Sequence, residues 1–220
     1  MTATPLQRLY PITSAALLAD EGRLAEVVAV LLAAGVRRLQ YRDKTSDRQR
    51  RERLAGGLCQ TLSAQGASLI INDDVELARA VGAAGVHLGA GDGDLAAARA
   101  RLGPQALIGA TCGASLARAE QARAAGADVL AFGRFYPSRT KPDAPAAPLA
   151  VLGQARARLG TVTLCAIGGI TPLQAPALIA AGADWLAVID ALFGQPDPAA
   201  VEQACQAFAR ALANSPAGPR

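Results

Sequence analysis

Ala180-Ala181-Gly182-Ala183-Asp184-Trp185-Leu186-Ala187-Val188-Ile189 is the last of four places where one short phrase precedes an apolar run. The others begin at Ala33-Ala34-Gly35, Ala83-Ala84-Gly85 and Ala124-Ala125-Gly126. The phrase reads as a helix end of small residues, a glycine that takes the left-handed conformation just past it, and a buried strand. It predicts strands at 36–40, 86–88, 128–132 and 184–189. The glycines lie 50, 41 and 56 residues apart, room for two strand-helix units of about 25 residues each. Four more apolar segments bounded by turn residues, at 9–13, 68–71, 106–111 and 161–167, supply the second strands. Helical spacing at 24–34, 116–125 and 173–181 fills gaps between them, with Leu24, Val27, Val28 and Leu31 on one face. Eight alternating units predict an α/β fold, a single (β/α)8 TIM barrel over residues 1–213, with 214–220 (N-S-P-A-G-P-R) a flexible tail. An open doubly wound sheet is the rival fold, disfavoured because no GxGxxG turn follows an early strand.

Composition narrows the chemistry. With 220 residues, 51% hydrophobic and 18% charged, the chain buries a core without disulfides. Its basic excess of four is scattered and its aromatic content is 4%, which argues against a nucleic-acid surface. No apolar stretch reaches the roughly 20 residues of a membrane span, and residues 1–8 lack a signal-peptide pattern, so a cytoplasmic protein is expected. Cys59, Cys112, Cys165 and Cys205 form no CxxC pair. His87 is the single histidine, so a site built on two imidazoles is excluded and a Ser-His-Asp hydrolase is disfavoured.

Barrel chemistry gathers after the strands, and there this sequence is sharply polar. Strand two runs into Gln40-Tyr41-Arg42-Asp43-Lys44, strand three into Asn72-Asp73-Asp74, and strand four into His87-Leu88-Gly89-Ala90-Gly91-Asp92. Strand five ends at Thr111, strand six in the loop Gly133 to Pro148, and strand seven in Gly168-Gly169-Ile170-Thr171. Arg42, Lys44, Arg134, Arg139 and Lys141 thus face Asp73 and Asp92 on one rim. Cations alone would mark a phosphate site; with two carboxylates they point to a polyphosphate carried as its magnesium complex. The chain has 20 arginines but only two lysines, Lys44 and Lys141, both in these loops, as a point charge against a phosphate oxygen would require. Gly168-Gly169 reads as a second anion cradle, although Thr171-Pro172 is also an ordinary helix start.

Structural alternatives stand beside each reading. Asp73 or Asp74 would serve as a cap for the helix after strand three, and Asp92 for the next one. Asp43 and Asp74 are expected to face solvent. His87 reads as a core imidazole, and Cys112 lacks the neighbours of a nucleophile. The Pro-rich stretch 137–148 is either a stiff connection or part of a lid over phosphate.

Read together, Gln40-Tyr-Arg-Asp-Lys44, Ile71-Asn-Asp73, Gly85-Val-His-Leu-Gly89 with Asp92, Gly133-Arg-Phe-Tyr-Pro-Ser-Arg-Thr-Lys-Pro-Asp-Ala144 and Ala166-Ile-Gly-Gly-Ile-Thr171 resemble the thiamine phosphate synthase (thiamine-phosphate pyrophosphorylase) family from about Leu9 to Phe193. The resemblance implies a transferase of thiamine biosynthesis. It would join 4-amino-2-methyl-5-(diphosphooxymethyl)pyrimidine to 4-methyl-5-(2-phosphoethyl)thiazole, releasing thiamine monophosphate and pyrophosphate with Mg2+ required. It implies that Gln40, Tyr41, Arg42, Asp43, Lys44, Asn72, Thr111 and Lys141 hold the pyrimidine diphosphate, and that Asp73 and Asp92 bind Mg2+. Ser138, Arg139, Thr140, Gly169, Ile189 and Asp190 would surround the thiazole phosphate. The implied mechanism is dissociative, with Arg42, Lys44 and Lys141 stabilising the departing pyrophosphate, so no protein nucleophile or strong base is needed.

This chain departs from the family pattern twice. Ala90 stands where the family often has glutamine, and Asp190 where many members have serine. The Asp190 carboxylate is therefore expected to turn to solvent or to an arginine. A thiazole phosphate tautomerase of the related barrel family and a non-catalytic thiamine phosphate binding barrel are the alternatives. Partners are expected to be these small molecules, with homo-oligomer formation left open.

Overall fold

The computed structural model describes residues 5–140 and 145–213. Lys141, and the expected tail at 214–220, lie outside the described residues. The strands are β1 (Leu9–Pro11), β2 (Arg38–Tyr41), β3 (Ser68–Asn72), β4 (Gly85–Leu88), β5 (Leu107–Gly113), β6 (Val129–Phe132), β7 (Thr163–Ile167) and β8 (Trp185–Val188). All pair in parallel with their sequence neighbours from β2 to β8, and β8 pairs with β1. A bridge between Ile12 and Gln40 joins β1 to β2, so the sheet returns on itself as the expected barrel and the open-sheet alternative is excluded.

The helices are α1 (Ala15–Leu18), α2 (Glu21–Ala33), α3 (Arg48–Ala64), α4 (Val75–Ala80), α5 (Leu95–Leu102), α6 (Leu116–Ala124), α7 (Ala150–Leu159), α8 (Ala175–Ala180), α9 (Asp190–Phe193) and α10 (Pro198–Ala213). Among the described residues none is long and apolar enough to cross a membrane. The face of α2 that carries Leu24, Val27, Val28 and Leu31 is the buried one, as its spacing predicts.

Two apolar layers result. The larger lies between strands and helices. The smaller fills the barrel with Tyr10, Ile12, Ile70, Val129, Ala131, Cys165 and Ala187. The Arg38 guanidinium stacks 4.0 Å from the Trp185 ring centroid, and Tyr10 meets the same ring edge-on.

The repeated phrase does what its chemistry predicts three times out of four. Gly35, Gly126 and Gly182 have φ of 99°, 92° and 114°, each just past a helix. At the first of these, Gly35 N–H and Val36 N–H close onto the Leu32 and Leu31 carbonyls. Gly85 is the exception. Here α4 has already ended at Gly82 (φ 66°), and Gly85 is the first residue of β4. A Cβ at Gly85 would stand 1.9 Å from the Leu107 carbonyl oxygen. The glycine is needed for close strand approach, not for a helix end.

The aspartate two residues after the glycine also has a purpose. Asp128 Oδ2 accepts from Ile108 N–H (2.8 Å) and Arg99 Nη2 (2.6 Å). Asp184 Oδ2 repeats the pattern with Leu164 N–H (2.8 Å) and Arg156 Nη2 (2.5 Å). Each arginine also donates to carbonyls at the helix end and the next strand's start, so one side chain stitches the lower rim.

Other differences are local. β2 starts at Arg38, two residues later than expected, because Val36 still closes the α2 terminus. β5 continues past Thr111 to Gly113 through an irregular register. α8 starts at Ala175 after a turn in which Thr171 N–H donates to Gln174 Oε1 (3.0 Å), so Thr171 does not cap that helix directly.

Candidate active site

The loops after β2, β3 and β4 meet at one end of the barrel. Thr13, wholly buried after β1, accepts from Arg42 N–H at 2.8 Å and lies 3.3 Å from the Arg42 carbonyl, fixing where the β2 loop leaves the strand. Gln40 and Tyr41 point into the protein. Gln40 Nε2 donates to the Tyr10 hydroxyl (2.9 Å), and the Tyr41 hydroxyl donates to Asp43 Oδ2 (2.9 Å).

The expectation that Asp43 faces solvent is overturned. Its side chain is 3% exposed and accepts also from Arg50 Nη1 and Thr45 N–H, both at 2.9 Å. Burial pushes the Asp43 pKa up, but the hydrogen bonds from Thr45 and Tyr41 and the Arg50 charge outweigh it, leaving the carboxyl below its usual range. Asp43 therefore locks the loop from behind and leaves Arg42 and Lys44 at the rim.

Neighbouring aspartates separate into supports and site groups. Asp74 is the cap of α4, its Oδ1 accepting from Leu77 N–H at 2.8 Å, and it pairs with Arg51 at 2.5 Å. It too is engaged, not merely solvated. Asp94, not Asp92, caps α5, accepting from Ala96 N–H at 2.7 Å. Asp73 and Asp92 are thus released from capping. Asp73 has φ 64°, among the described residues the only non-glycine position with positive φ, and its N–H donates to the His87 carbonyl at 2.9 Å. That conformation turns its carboxylate over the site.

The two carboxylates converge at Gly89. A Cβ there would stand 2.0 Å from Asp92 Oδ2 and 3.8 Å from Asp73 Oδ1. Asp73 Oδ1 accepts from Gly89 N–H (3.3 Å), while Oδ2 takes Lys44 Nζ and Asn72 Nδ2, both at 2.5 Å. Burial raises the Asp73 pKa, but Lys44, Gly89 and Asn72 together bring it below the usual carboxylate value. Lys44, Asn72, Asp73 and Asp92 line a single pocket of about 520 Å³. Beside it, Thr111 lies on the interior face of β5, its hydroxyl 3.0 Å from His87 Nε2.

Ser138, Arg139 and Thr140 lie in the β6 loop, where Thr140 N–H donates to Ser138 Oγ at 3.3 Å. Gly168 and Gly169 lie beneath that loop. Cβ atoms there would stand 2.3 Å from Arg134 Cβ and 2.2 Å from the Pro137 carbonyl oxygen. Phe135 N–H and Tyr136 N–H donate to the Ile167 and Gly168 carbonyls, both at 3.1 Å. The glycine pair is what lets the β6 loop lie across β7. Ile189 opens α9, and the Asp190 side chain is exposed, with no ion pair among the described residues. Cys112 is buried, and burial pushes its thiol up to about 12, so it carries no thiolate at neutral pH.

Thr13 and Arg50 go unnamed among the sequence candidates, and Gly89 is named there only within its motif, without a role. Thr13 was open to discovery as the polar residue ending strand one.

The sequence profile described as thiamine monophosphate synthase matches residues 9–192. A thiamine-phosphate synthase of Chromobacterium violaceum is 50% identical over 199 residues, covering 90% of this chain and 94% of that one. The solved thiamine phosphate pyrophosphorylase from Pyrococcus furiosus superposes with a TM-score of 0.82 at 29% identity, covering 98% of this chain and 99% of that one. A 3-hexulose-6-phosphate synthase structure, 19% identical with a TM-score of 0.64 over 93% of this chain and 99% of that one, shares the fold alone. The chain belongs to the thiamine monophosphate synthase family of transferases.

Proposed function

We propose that the protein joins 4-amino-2-methyl-5-(diphosphooxymethyl)pyrimidine to 4-methyl-5-(2-phosphoethyl)thiazole, releasing pyrophosphate and thiamine monophosphate. The observation that carries this reading is the meeting of Asp73 and Asp92 at Gly89 with Lys44 beside them. The donor set suits Mg2+, which takes one or two carboxylates and completes its shell with phosphate oxygens and water. Asp73 and Asp92 would hold the ion, which supplies Lewis-acid stabilisation of the leaving diphosphate. Among the described residues no group of three or more His, Cys, Asp or Glu gathers as a metal site, so these two carboxylates are the protein ligands this reading relies on.

Arg42 and Lys44, with Lys141, bind the diphosphate and oppose the charge that grows on it as its bond to the pyrimidine methylene breaks. A unit charge about 4 Å away contributes about 4 kcal/mol at an effective dielectric near 20, before desolvation. Each 1.4 kcal/mol gained only in the transition state is about tenfold in rate, so a few such contacts suffice. The electron-rich pyrimidine spreads the positive charge left behind, and the thiazole nitrogen captures it. Asn72 and Thr111 would orient the pyrimidine end. Ser138, Arg139, Thr140, Gly169, Ile189 and the Asp190 N–H would hold the thiazole phosphate, with the Asp190 carboxylate directed away. The β6 loop would shield the cation from water. A cytoplasmic location belongs to this same reading.

Incubation with both substrates tests it. Thiamine monophosphate and pyrophosphate are expected in equal amounts with Mg2+ and neither after chelation. Metal-independent isomerisation of the thiazole phosphate alone, or tight binding without product, would replace this reading with one of the two alternatives.

A further inference from the structure

We propose that His87, the only histidine in the chain, is a positioning residue that fixes the Thr111 hydroxyl at the floor of the site. This rests on the reading of that rim as the substrate site. Two observations carry it independently. His87 Nε2 lies 3.0 Å from Thr111 Oγ1, a full hydrogen bond inside the barrel. And β5 makes room for the ring: opposite His87 in the register stands Gly109, where a Cβ would lie 2.4 Å from His87 Nδ1. Any side chain at 109 would evict the imidazole, so the slot and the ring belong together.

Position separates support from contact. His87 is 8% exposed and sits one layer further down the barrel, whereas Thr111 is only half-buried and lines a second cavity, of about 290 Å³, that it shares with Gly89 and Ala90 on one side and Arg118 and Gln121 of α6 on the other. A threonine hydroxyl has one proton and several rotamers open to it. The imidazole removes that freedom, and its tautomer sets which side of the hydroxyl faces the ligand: if Nε2 accepts, Thr111 presents lone pairs; if Nε2 donates, it presents its proton. The His87 carbonyl meanwhile receives the Asp73 N–H. One residue thus ties the β3 loop to β5.

The test uses the full-length protein labelled with 15N-histidine, whose spectrum contains a single imidazole. In Thr111→Val the Nε2 resonance is expected to move well away from its wild-type position while Nδ1 stays nearly unchanged. This readout needs no turnover, so it stands or falls apart from the substrate assignment. In kinetics, His87→Leu is expected to lower kcat about 30-fold with KM little changed, and His87→Gln to recover most of the loss. The double variant His87→Leu/Thr111→Val is expected to be no slower than Thr111→Val alone. An unmoved Nε2 resonance, a His87→Leu enzyme with wild-type kcat, or additive losses in the double variant would overturn the proposal. Should His87→Leu fail to fold, the Thr111→Val spectrum and His87→Gln kinetics decide it.

Discussion

Asp73→Asn is expected to reduce kcat/KM about a thousandfold, with a melting temperature close to that of the parent. Asparagine suits the test because it tolerates the left-handed backbone at φ 64° and retains an oxygen for the Gly89 N–H. What it loses is the charge that a divalent cation and Lys44 would share. The ion pair to Lys44 is half exposed and contributes little to folding, so stability should barely move. Asp74→Asn is the control: asparagine caps helices as well as aspartate, so α4 stays anchored and activity should remain within about threefold. Steady-state kinetics with thermal denaturation of both variants checks this. Equal losses from the two substitutions would mean that Asp73 holds no role its neighbour lacks.

The second large effect concerns stability. Arg156→Met is expected to cost about 3 kcal/mol, since Arg156 donates to the Gly160, Val162 and Gly182 carbonyls as well as to Asp184, and its side chain is only 11% exposed. Methionine keeps most of the apolar stem and removes the donors. For a chain of this size the melting temperature should fall by about 6–12 °C. Two residues away, Arg158 reaches Glu120 at 3.4 Å with both side chains about half exposed, and Arg158→Met should shift it by no more than about 2 °C. Similar shifts for the two variants would show that the lower-rim stitch does not bear the load assigned to it.

The barrel was legible because its repeat is physical. A helix end, a glycine and a buried strand recur at a spacing that only paired strand-helix units satisfy, and three of the four glycines adopt the conformation this requires. Gly85 escaped that reading because the constraint on it comes from Leu107, a residue 22 positions away, although Gly82 just ahead of the phrase marks the earlier helix end. The site was legible in outline for a related reason. In a barrel, polar residues that follow apolar strands gather at one end whatever their sequence separation.

What sequence could not separate were adjacent groups of identical chemistry. Asp73 and Asp74, or Asp92 and Asp94, are equally good caps on paper. The choice depends on which lies at the first turn of α4 or α5, a matter of one or two residues in the helix start. Asp43 was misread because its partners, Arg50 and Tyr41, lie on a helix and a strand whose facing surfaces meet only in the fold. The role of Gly168 and Gly169 in seating the β6 loop was likewise hidden, since a glycine pair before a helix reads as an anion cradle in the absence of the segment that covers it.

The proposed reaction requires Asp73 and Asp92 jointly to receive a cation that arrives with a diphosphate. Anomalous scattering from crystals grown with Mn2+ and pyrophosphate locates that ion directly. A single strong peak between the two carboxylates, with pyrophosphate against Lys44, is the predicted result. A peak elsewhere, or pyrophosphate bound with no metal at Gly89, would contradict it.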